Sequence, residues 1–218
     1  MNINKNQPAK ETIESYRLHE ILSLEDELYD PFLDLYQTAF PLNEQMLVSE
    51  HNAVLRGRAQ GKSEGMHFFA ALNAQDQFVG LARYDILRPS RVAVLWYLAV
   101  TPECRSKGVG SWLYQEIHNR IQSEEPAVSL LLLEVEDPEK ARAPEERALA
   151  TRRIAFYKRH NTRLLCGIEH IQTVTWQPPL PMLLMAYLYR PLEAEDVFQH
   201  AKGVFGEQLR QVAPLTLE

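Results

Sequence analysis

Cysteine is scarce in the sequence, and its few occurrences follow no metal-binding or disulfide pattern. Cys104 and Cys166 are the only two among 218 residues, and the seven histidines include no pair at metal-ligand spacing. The opening segment, 1–11, is a polar tail without the apolar stretch of a secretory signal. We therefore expect no metal ion, and we expect a reducing compartment, the cytoplasm.

Long apolar runs and an excess of positive charge are also missing. The longest apolar runs, 92–100 and 130–133, are far shorter than the roughly 20 residues that cross a bilayer. The formal net charge is -6 at pH 7, whereas a nucleic-acid surface needs clustered Lys and Arg to neutralise phosphates. The sequence predicts no membrane partner and no nucleic-acid partner, and its charge is compatible with a cationic small substrate.

What is present is the composition of a soluble globular protein. Hydrophobic residues make up 45% and charged residues 24% of the chain, and its length predicts one domain with additions. We assign 12–190 to that domain and 191–218 to a C-terminal amphipathic helix and tail. The helix is predicted over 193–212, and it either packs on its own domain or forms a homodimer contact.

The spacing of apolar residues along 12–190 predicts a mixed α/β fold. Alternating or continuous apolar runs indicate strands, and apolar residues at every third or fourth position indicate helices. The polar segment 73–77 between two strand patterns is typical of an antiparallel hairpin. The predicted strands are 16–21, 67–72, 78–86, 92–100, 128–135, 164–176 and 182–189, and the predicted helices are 28–40, 44–58, 111–121 and 148–160.

The segment from Arg105 to Gly110 joins the apolar strand 92–100 to a predicted helix. A strand that ends in such a turn presents unpaired backbone N–H groups, and the positive end of the helix dipole, to one point. Glycines at 108 and 110 leave those amides accessible, and Arg105 and Lys107 add positive charge. The pattern predicts a phosphate site.

Other nucleotide-binding motifs fit this segment less well. A P-loop needs a Gly-Lys pair followed by Ser or Thr, and the dinucleotide fingerprint needs a third glycine where this chain has Leu113. Glu134, near the end of the next strand, does resemble the acid that binds a ribose in dinucleotide sites. A dinucleotide site and a plain tight turn both stay open on these residues alone.

The sequence around this segment resembles the signature of the GNAT acetyltransferase superfamily. The signature is Gln or Arg, then Gly three positions later and Gly or Ala two further on, after a strand that often ends in hydrophobic-Ala-Val-x-Pro. The order of predicted elements from about residue 12 to 190 is similar to that family too. The matching run is Leu98-Ala99-Val100-Thr101-Pro102-Glu103-Cys104-Arg105-Ser106-Lys107-Gly108-Val109-Gly110.

The resemblance implies an acetyl-coenzyme A site and a central, mostly antiparallel sheet with helices on both faces. Two central parallel strands, 92–100 and 128–135, would splay apart to admit the co-substrate. Backbone amides would cradle the pyrophosphate, and the end of the first strand would pair with the pantetheine arm. The residues implied in binding are Leu98, Ala99, Val100, Arg105, Ser106, Lys107, Gly108, Val109, Gly110, Ser111 and Tyr157.

A second family signature, Phe-Tyr followed after three residues by Gly-Phe, is matched in half by Phe156 and Tyr157. Asn161 and Thr162 stand in place of Gly-Phe, and Asn tolerates the left-handed helix cap that Gly would provide. The loss of the aromatic residue at Thr162 is the larger departure.

The same helix bears on the co-substrate at two more positions. The Asn that relatives use is replaced by Ala150, so that contact is not expected here. Arg152 and Arg153 could instead reach the phosphates of coenzyme A, although arginines on a helix are more often solvated.

Transfer to an amine needs one group to accept the amine proton and another to protonate the departing sulfur, because an alkylamine of pKa about 10.4 is mostly protonated at pH 7. By resemblance, Tyr157 lies near the sulfur and is the candidate acid. The strand Glu of many relatives is replaced by Trp96. Glu134 is the candidate base, because burial would raise its pKa, and Glu44 and Glu136 are weaker candidates.

These residues and the resemblance predict direct transfer of an acetyl group from acetyl-coenzyme A to an amine. An acyl-cysteine is not expected, because Cys104 has no evident His partner. The acceptor is a small-molecule amine or a protein amine, and the sequence does not choose between them. A coenzyme A-binding sensor without catalysis is the alternative, since Trp96 and Ala150 replace residues that relatives use.

Overall fold

The fold is described from a computed structural model over residues 16–63, 65–173 and 178–218. The predicted polar tail, 1–11, and the predicted strand end at Trp176 lie outside these residues. None of the helices in the described ranges is long and apolar enough to cross a membrane. The strands of these ranges form an eight-stranded sheet.

The elements follow one another mostly as the apolar spacing predicts. The helices are α1 (Tyr29–Ala39), α2 (Val48–Ala59), α3 (Val109–Glu124), α4 (Pro144–Arg159) and α5 (Ala194–Phe205). The strands are β1 (Arg17–Glu20), β2 (Met66–Leu72), β3 (Phe78–Leu87), β4 (Val92–Val100), β5 (Leu130–Glu136), β6 (Arg163–Gln172), β7 (Leu180–Leu188) and β8 (Leu209–Leu217).

The strands lie in the order β1-β2-β3-β4-β5-β7-β6-β8. The β4–β5 pair is parallel, and the other neighbours are antiparallel. The β2–β3 hairpin closes through Asn73, whose side-chain oxygen accepts the amides of Gln75 and Gln77, each at 3.0 Å. The structure confirms the predicted mixed α/β fold with a mostly antiparallel sheet and a central parallel pair.

One face of the sheet is covered by α3 and α4. Successive residues of a strand point to opposite faces, so Leu131 and Leu133 of β5 face these helices. Leu113 and Ile117 of α3 are fully buried against them. Burying one such side chain stabilises a fold by about 1.5–3 kcal/mol, so this layer fixes α3 firmly on the sheet.

The opposite face carries two separate helical blocks. Phe32 and Tyr36 of α1 pack with α2 over β2, β3 and β4. Val197 and Ala201 of α5 pack over β4, β5 and β7. Trp96 of β4 contacts both blocks, so the two blocks meet in the middle of the sheet.

The C-terminal segment differs from its prediction. The helix predicted over 193–212 ends at Phe205, and Gly206 follows with a φ of 56°, a conformation that favours glycine. The chain then forms β8, which pairs antiparallel with β6. Leu209 and Val212 continue the helical spacing, but Leu209 is buried in the sheet and Val212 is 59% exposed. The prediction of a C-terminal helix is correct, and its extent to 212 is wrong.

Two other helices begin at residues other than those predicted. A 3-10 turn, Leu42–Glu44, and an extended Gln45 precede α2, which starts at Val48 rather than at 44. α4 starts at Pro144 rather than at 148, because proline is favourable in a first turn. The first difference matters for the site, since it places Glu44 outside any α-helix.

Candidate active site

β4 and β5 pair over only part of their length. Parallel pairing runs from Val92 with Leu130 to Leu95 with Leu133 and ends there. The rest of β4, as far as Val100, pairs with β3 on its other side. The edge of β4 that faces β5 therefore opens in the middle of the sheet, which confirms the splayed central strands that the family resemblance implies.

A β-bulge at Trp96 accounts for this separation. Trp96 is the extra residue at the register shift between β3 and β4, and a bulge bends and twists a strand. Its indole nitrogen donates a hydrogen bond of 2.8 Å to Oδ2 of Asp85, which also forms a buried ion pair with Arg83 at 3.3 Å. Where relatives carry a glutamate, this chain has a structural tryptophan.

The loop after β4 presents the N-terminus of α3. Ser106 and Gly108 have positive φ values, 61° and 84°, which reverse the chain before the helix begins at Val109. Within the described residues, no heavy atom lies within 4 Å of the position that a Gly108 Cβ would occupy. Glycine is therefore needed here for backbone conformation, and the space beside it is open.

The first turn of α3 suits an anion. It contains no acidic residue, and no side chain caps it in the described structure. The amides from Gly108 to Ser111 therefore lack helical partners and lie at the positive end of the dipole. Arg105 and Lys107 are exposed beside them, and Arg105 Nε also donates to the Val100 carbonyl at 3.3 Å. These groups fit a pyrophosphate.

The end of α4 packs beside this loop. His160 Nε2 lies 3.0 Å from Ser111 Oγ in the first turn of α3. Asn161 has a φ of 59°, so it adopts the left-handed cap that the sequence predicts for it. Thr162 Oγ1 lies 2.7 Å from the buried hydroxyl of Tyr114. A hydrogen bond therefore stands where the family has an aromatic side chain.

A cavity lies where β4 and β5 separate. It contains Tyr157 and Glu134, the predicted acid and base, which the structure therefore brings together. It also contains Leu98, from the strand segment predicted to bind the co-substrate. The lining residues are Phe40, Glu44, Leu95, Trp96, Tyr97, Leu98, Glu134, Arg153, Tyr157, Gln172 and Met182.

Both carboxylate oxygens of Glu134 are engaged. Oε1 lies 2.5 Å from Nε2 of His170, and Oε2 accepts a hydrogen bond of 3.1 Å from Gln172. The other ring nitrogen of His170 lies 3.3 Å from the carbonyl of Gln208. Because a neutral imidazole donates from only one nitrogen, these contacts favour a proton shared between His170 and Glu134. Sequence reasoning missed His170, since nothing local links it to a strand 36 residues earlier.

Arg153 is paired within the cavity. Its guanidinium forms an ion pair with Glu136. Burial lowers the pKa of Arg153, but Glu136 and Glu44 outweigh burial and raise that pKa above its ordinary value. Arg153 therefore contributes a fixed positive charge beside three carboxylates, and this is its position relative to the predicted contact with coenzyme A phosphates.

Tyr157 is buried beside the same groups. Burial raises the pKa of its hydroxyl to about 12, and Arg153 opposes that rise. Its ring packs against Tyr114 of α3 with centroids 5.3 Å apart. At neutral pH the hydroxyl is therefore protonated and can donate a hydrogen bond into the cavity.

Glu44 holds a more central place than the sequence predicts. It is 9% exposed and lines the cavity with Tyr157. Burial raises its pKa to about 7, Glu136 and Glu134 raise it further, and Arg153 opposes the rise. The sequence signal was present, an acid shortly after Phe40-Pro41, but the contacts that shift its pKa come from distant strands.

Solved structures share this fold. An acetyltransferase of the GNAT family from Bacteroides thetaiotaomicron superposes with a TM-score of 0.67 at 21% identity, over 87% of this chain and 98% of that chain. The ribosomal-protein-S18-alanine N-acetyltransferase of Escherichia coli gives 0.52 at 16% identity, over 82% and 96%. A spermidine/spermine N-acetyltransferase of Vibrio cholerae gives 0.55 at 14% identity, over 87% and 95%.

Sequence comparison identifies the family. No curated protein sequence matches the chain. The Acetyltransferase (GNAT) family matches residues 22–161, which is more than half of the chain. That range contains the splayed strands, the loop before α3, and Tyr157. The chain therefore belongs to the GNAT family of acetyltransferases.

Proposed function

We propose that the protein transfers an acetyl group from acetyl-coenzyme A directly to an amine. The carrying observation is that the uncapped N-terminus of α3 follows directly on the open edge of β4, and that this edge borders the cavity of Tyr157. Amides at Gly108 to Ser111 suit the pyrophosphate, and the edge at Leu98 to Val100 suits an extended arm with amide groups.

The donor supplies the acetyl group as a thioester, and Tyr157 is the proposed acid. Its hydroxyl is protonated at neutral pH because burial disfavours the phenolate. Directed at the sulfur, that hydroxyl donates a hydrogen bond to the charge that develops there and supplies a proton to the leaving group.

The cavity charges support a cationic acceptor. Glu44, Glu134 and Glu136 contribute carboxylates, against one guanidinium from Arg153 and the proton that His170 shares with Glu134. An excess of acids favours an ammonium ion over an anionic substrate. Of the relatives, one is named for spermidine and spermine and another for an alanine of a ribosomal protein. We therefore propose an amine of a small molecule or of a protein.

A coenzyme A-binding sensor without turnover is the second candidate. Trp96 is bonded to Asp85 and Ala150 is buried, so neither position offers the groups that catalytic relatives use. A dinucleotide site is disfavoured, because Glu134 would have to give up His170 or Gln172 to bind a ribose.

Calorimetric titration with acetyl-coenzyme A and with NAD, followed by thiol release over a panel of amines, tests these readings. We expect binding of acetyl-coenzyme A and thiol release that depends on an added amine. Binding of NAD alone would overturn the acyltransferase proposal, and binding of acetyl-coenzyme A without turnover on any amine would favour the sensor.

A further inference from the structure

We propose that Glu44 is the general base that takes the proton of the acceptor amine, and that Tyr97 holds Glu44 in position. The proposal rests on the acetyl transfer proposed above and assigns its missing base. It places that base on the turn between α1 and α2, since the strand position of relatives is occupied by Trp96.

The carboxylate of Glu44 is the free one in the cavity. Glu134 is bonded to His170 and Gln172, and Glu136 is paired with Arg153. Within the described ranges, the side chain of Glu44 forms neither a hydrogen bond nor an ion pair. A carboxylate with unoccupied oxygens can accept a proton without first breaking a contact, so Glu44 is better suited than its neighbours.

The backbone at Glu44 is clamped by Tyr97 of β4. The hydroxyl of Tyr97 donates to the Glu44 carbonyl at 3.0 Å and accepts the amide of Met46 at 3.2 Å. Tyr97 is buried and follows the bulge residue of β4. The bulge that opens the slot therefore also directs the hydroxyl that fixes the base.

Further contacts hold the segment 44–46 although it forms no α-helix or strand. The Tyr36 hydroxyl donates to the Met46 carbonyl at 3.1 Å. Gln45 Nε2 donates to the carbonyl of Phe40 at 2.6 Å and to that of Gln37 at 3.1 Å. A segment tied this closely keeps its side chain in one place, as a catalytic group requires.

The surroundings of Glu44 make it a base near neutral pH. Burial raises its pKa to about 7, and the two β5 carboxylates add to this. A base is most effective when its pKa lies near the working pH. The titratable and charged groups that face it are Tyr97 of β4, Glu134 and Glu136 of β5, and Arg153 and Tyr157 of α4.

The proton balance is simple. One proton passes from the ammonium nitrogen to Glu44, and the freed electron pair forms the bond to the acetyl carbon. As the bond between that carbon and sulfur breaks, the sulfur receives the proton of Tyr157. The nitrogen releases its second proton to solvent, from which Tyr157 is reprotonated, so neither residue is consumed.

The test compares Glu44→Gln and Tyr97→Phe with wild type, using the best amine of the panel. Glu44→Gln should lower kcat/KM for the amine about 100-fold and remove the rise of rate with pH near 7. Tyr97→Phe should lower kcat about tenfold and move the pH midpoint downward, because a looser Glu44 becomes more hydrated. Affinity for acetyl-coenzyme A, measured by calorimetry, should be unchanged in both.

Tyr29→Phe is the matched control. It removes a hydroxyl of the same helical block, bonded to Asn52 at 2.6 Å and remote from the segment 44–46, so rate and pH midpoint should stay those of wild type. If Glu44→Gln keeps the wild-type rate and pH profile, Glu44 is not the base. If Tyr97→Phe behaves like Tyr29→Phe, the positioning role is wrong. If the wild type acetylates no amine, the proposed function fails and the assignment of a base falls with it.

Discussion

Burial sets the chemistry of single side chains in this site. Tyr157 and Glu44 line one cavity, and the loss of water raises the pKa of each, to about 12 and about 7. The consequences are opposite in kind. Tyr157 stays a proton donor at all physiological pH values, whereas Glu44 changes charge close to neutrality.

The role of Tyr157 is tested by Tyr157→Phe. We expect kcat to fall by about 100-fold with the affinity for acetyl-coenzyme A retained, because only the proton donor is removed. Tyr189→Phe is a suitable control, since it deletes a hydroxyl that lies 2.7 Å from His118 outside the cavity. Equal turnover numbers for Tyr157→Phe and wild type at saturating substrates would remove Tyr157 as the acid.

The pKa of Glu44 also predicts a dependence of stability on pH. Its pKa rises from 4.5 in the unfolded chain to about 7 in the folded one, so the folded state binds more protons between these values. Stability is therefore lost as the pH rises through this window. Relative to Glu44→Gln, the wild type should lose about 3 kcal/mol of unfolding free energy between pH 4.5 and pH 8.

Denaturant unfolding of both proteins at the two pH values measures this difference, and other titrating groups cancel in the comparison. A difference between the two proteins that does not vary with pH would show that Glu44 has an ordinary pKa.

Sequence reasoning reached some of these residues and not others. The phosphate loop, Tyr157 and Asn161 carry local signals, such as glycine placement and a left-handed cap. The bonding of Glu134 to His170 and the clamp of Tyr97 on Glu44 depend on strand register and on a bulge. Such long-range contacts leave no local pattern in the chain.

Among the elements, the β4 bulge and the C-terminal strand show what packing adds to local pattern. Continuous apolar runs predicted β4 and β5 correctly, but no pattern in them marks Trp96 as an extra residue. At the C-terminus, apolar residues kept helical spacing past Phe205, and Gly206 was the stronger signal. A left-handed glycine ended the helix, and pairing with β6 determined what followed.

The contact between β6 and β8 depends on Gly167. It has a φ of 83°, and a Cβ built there would lie 2.3 Å from the Pro214 carbonyl oxygen of β8. Gly167→Ala should therefore destabilise the protein by about 2 kcal/mol or more and expose the β8 amides to hydrogen exchange. Gly203→Ala in α5 is the control, because its Cβ would meet nothing within 4 Å, and it should stabilise by about 0.5–1 kcal/mol. Unchanged β8 protection in Gly167→Ala would contradict the described strand pairing.

Across the whole molecule, the splay between β4 and β5 joins the two ends of the proposed reaction. The loop at Gly108 follows the open edge of β4, and the cavity with Glu44 borders that same edge. The C-terminal unit supports the site as well, since the Gln208 carbonyl before β8 contacts His170, which holds Glu134. Family membership covers 22–161, so this support lies beyond the matched range.

Titration of acetyl-coenzyme A into wild type, Gly108→Glu and Gly203→Glu tests most directly whether the N-terminus of α3 is the co-substrate site. Gly108→Glu adds a negative charge, and a side chain at a left-handed position, where the pyrophosphate is proposed to bind. We predict affinity at least about tenfold weaker for Gly108→Glu, and wild-type affinity for Gly203→Glu. Equal affinity for all three proteins would contradict the account.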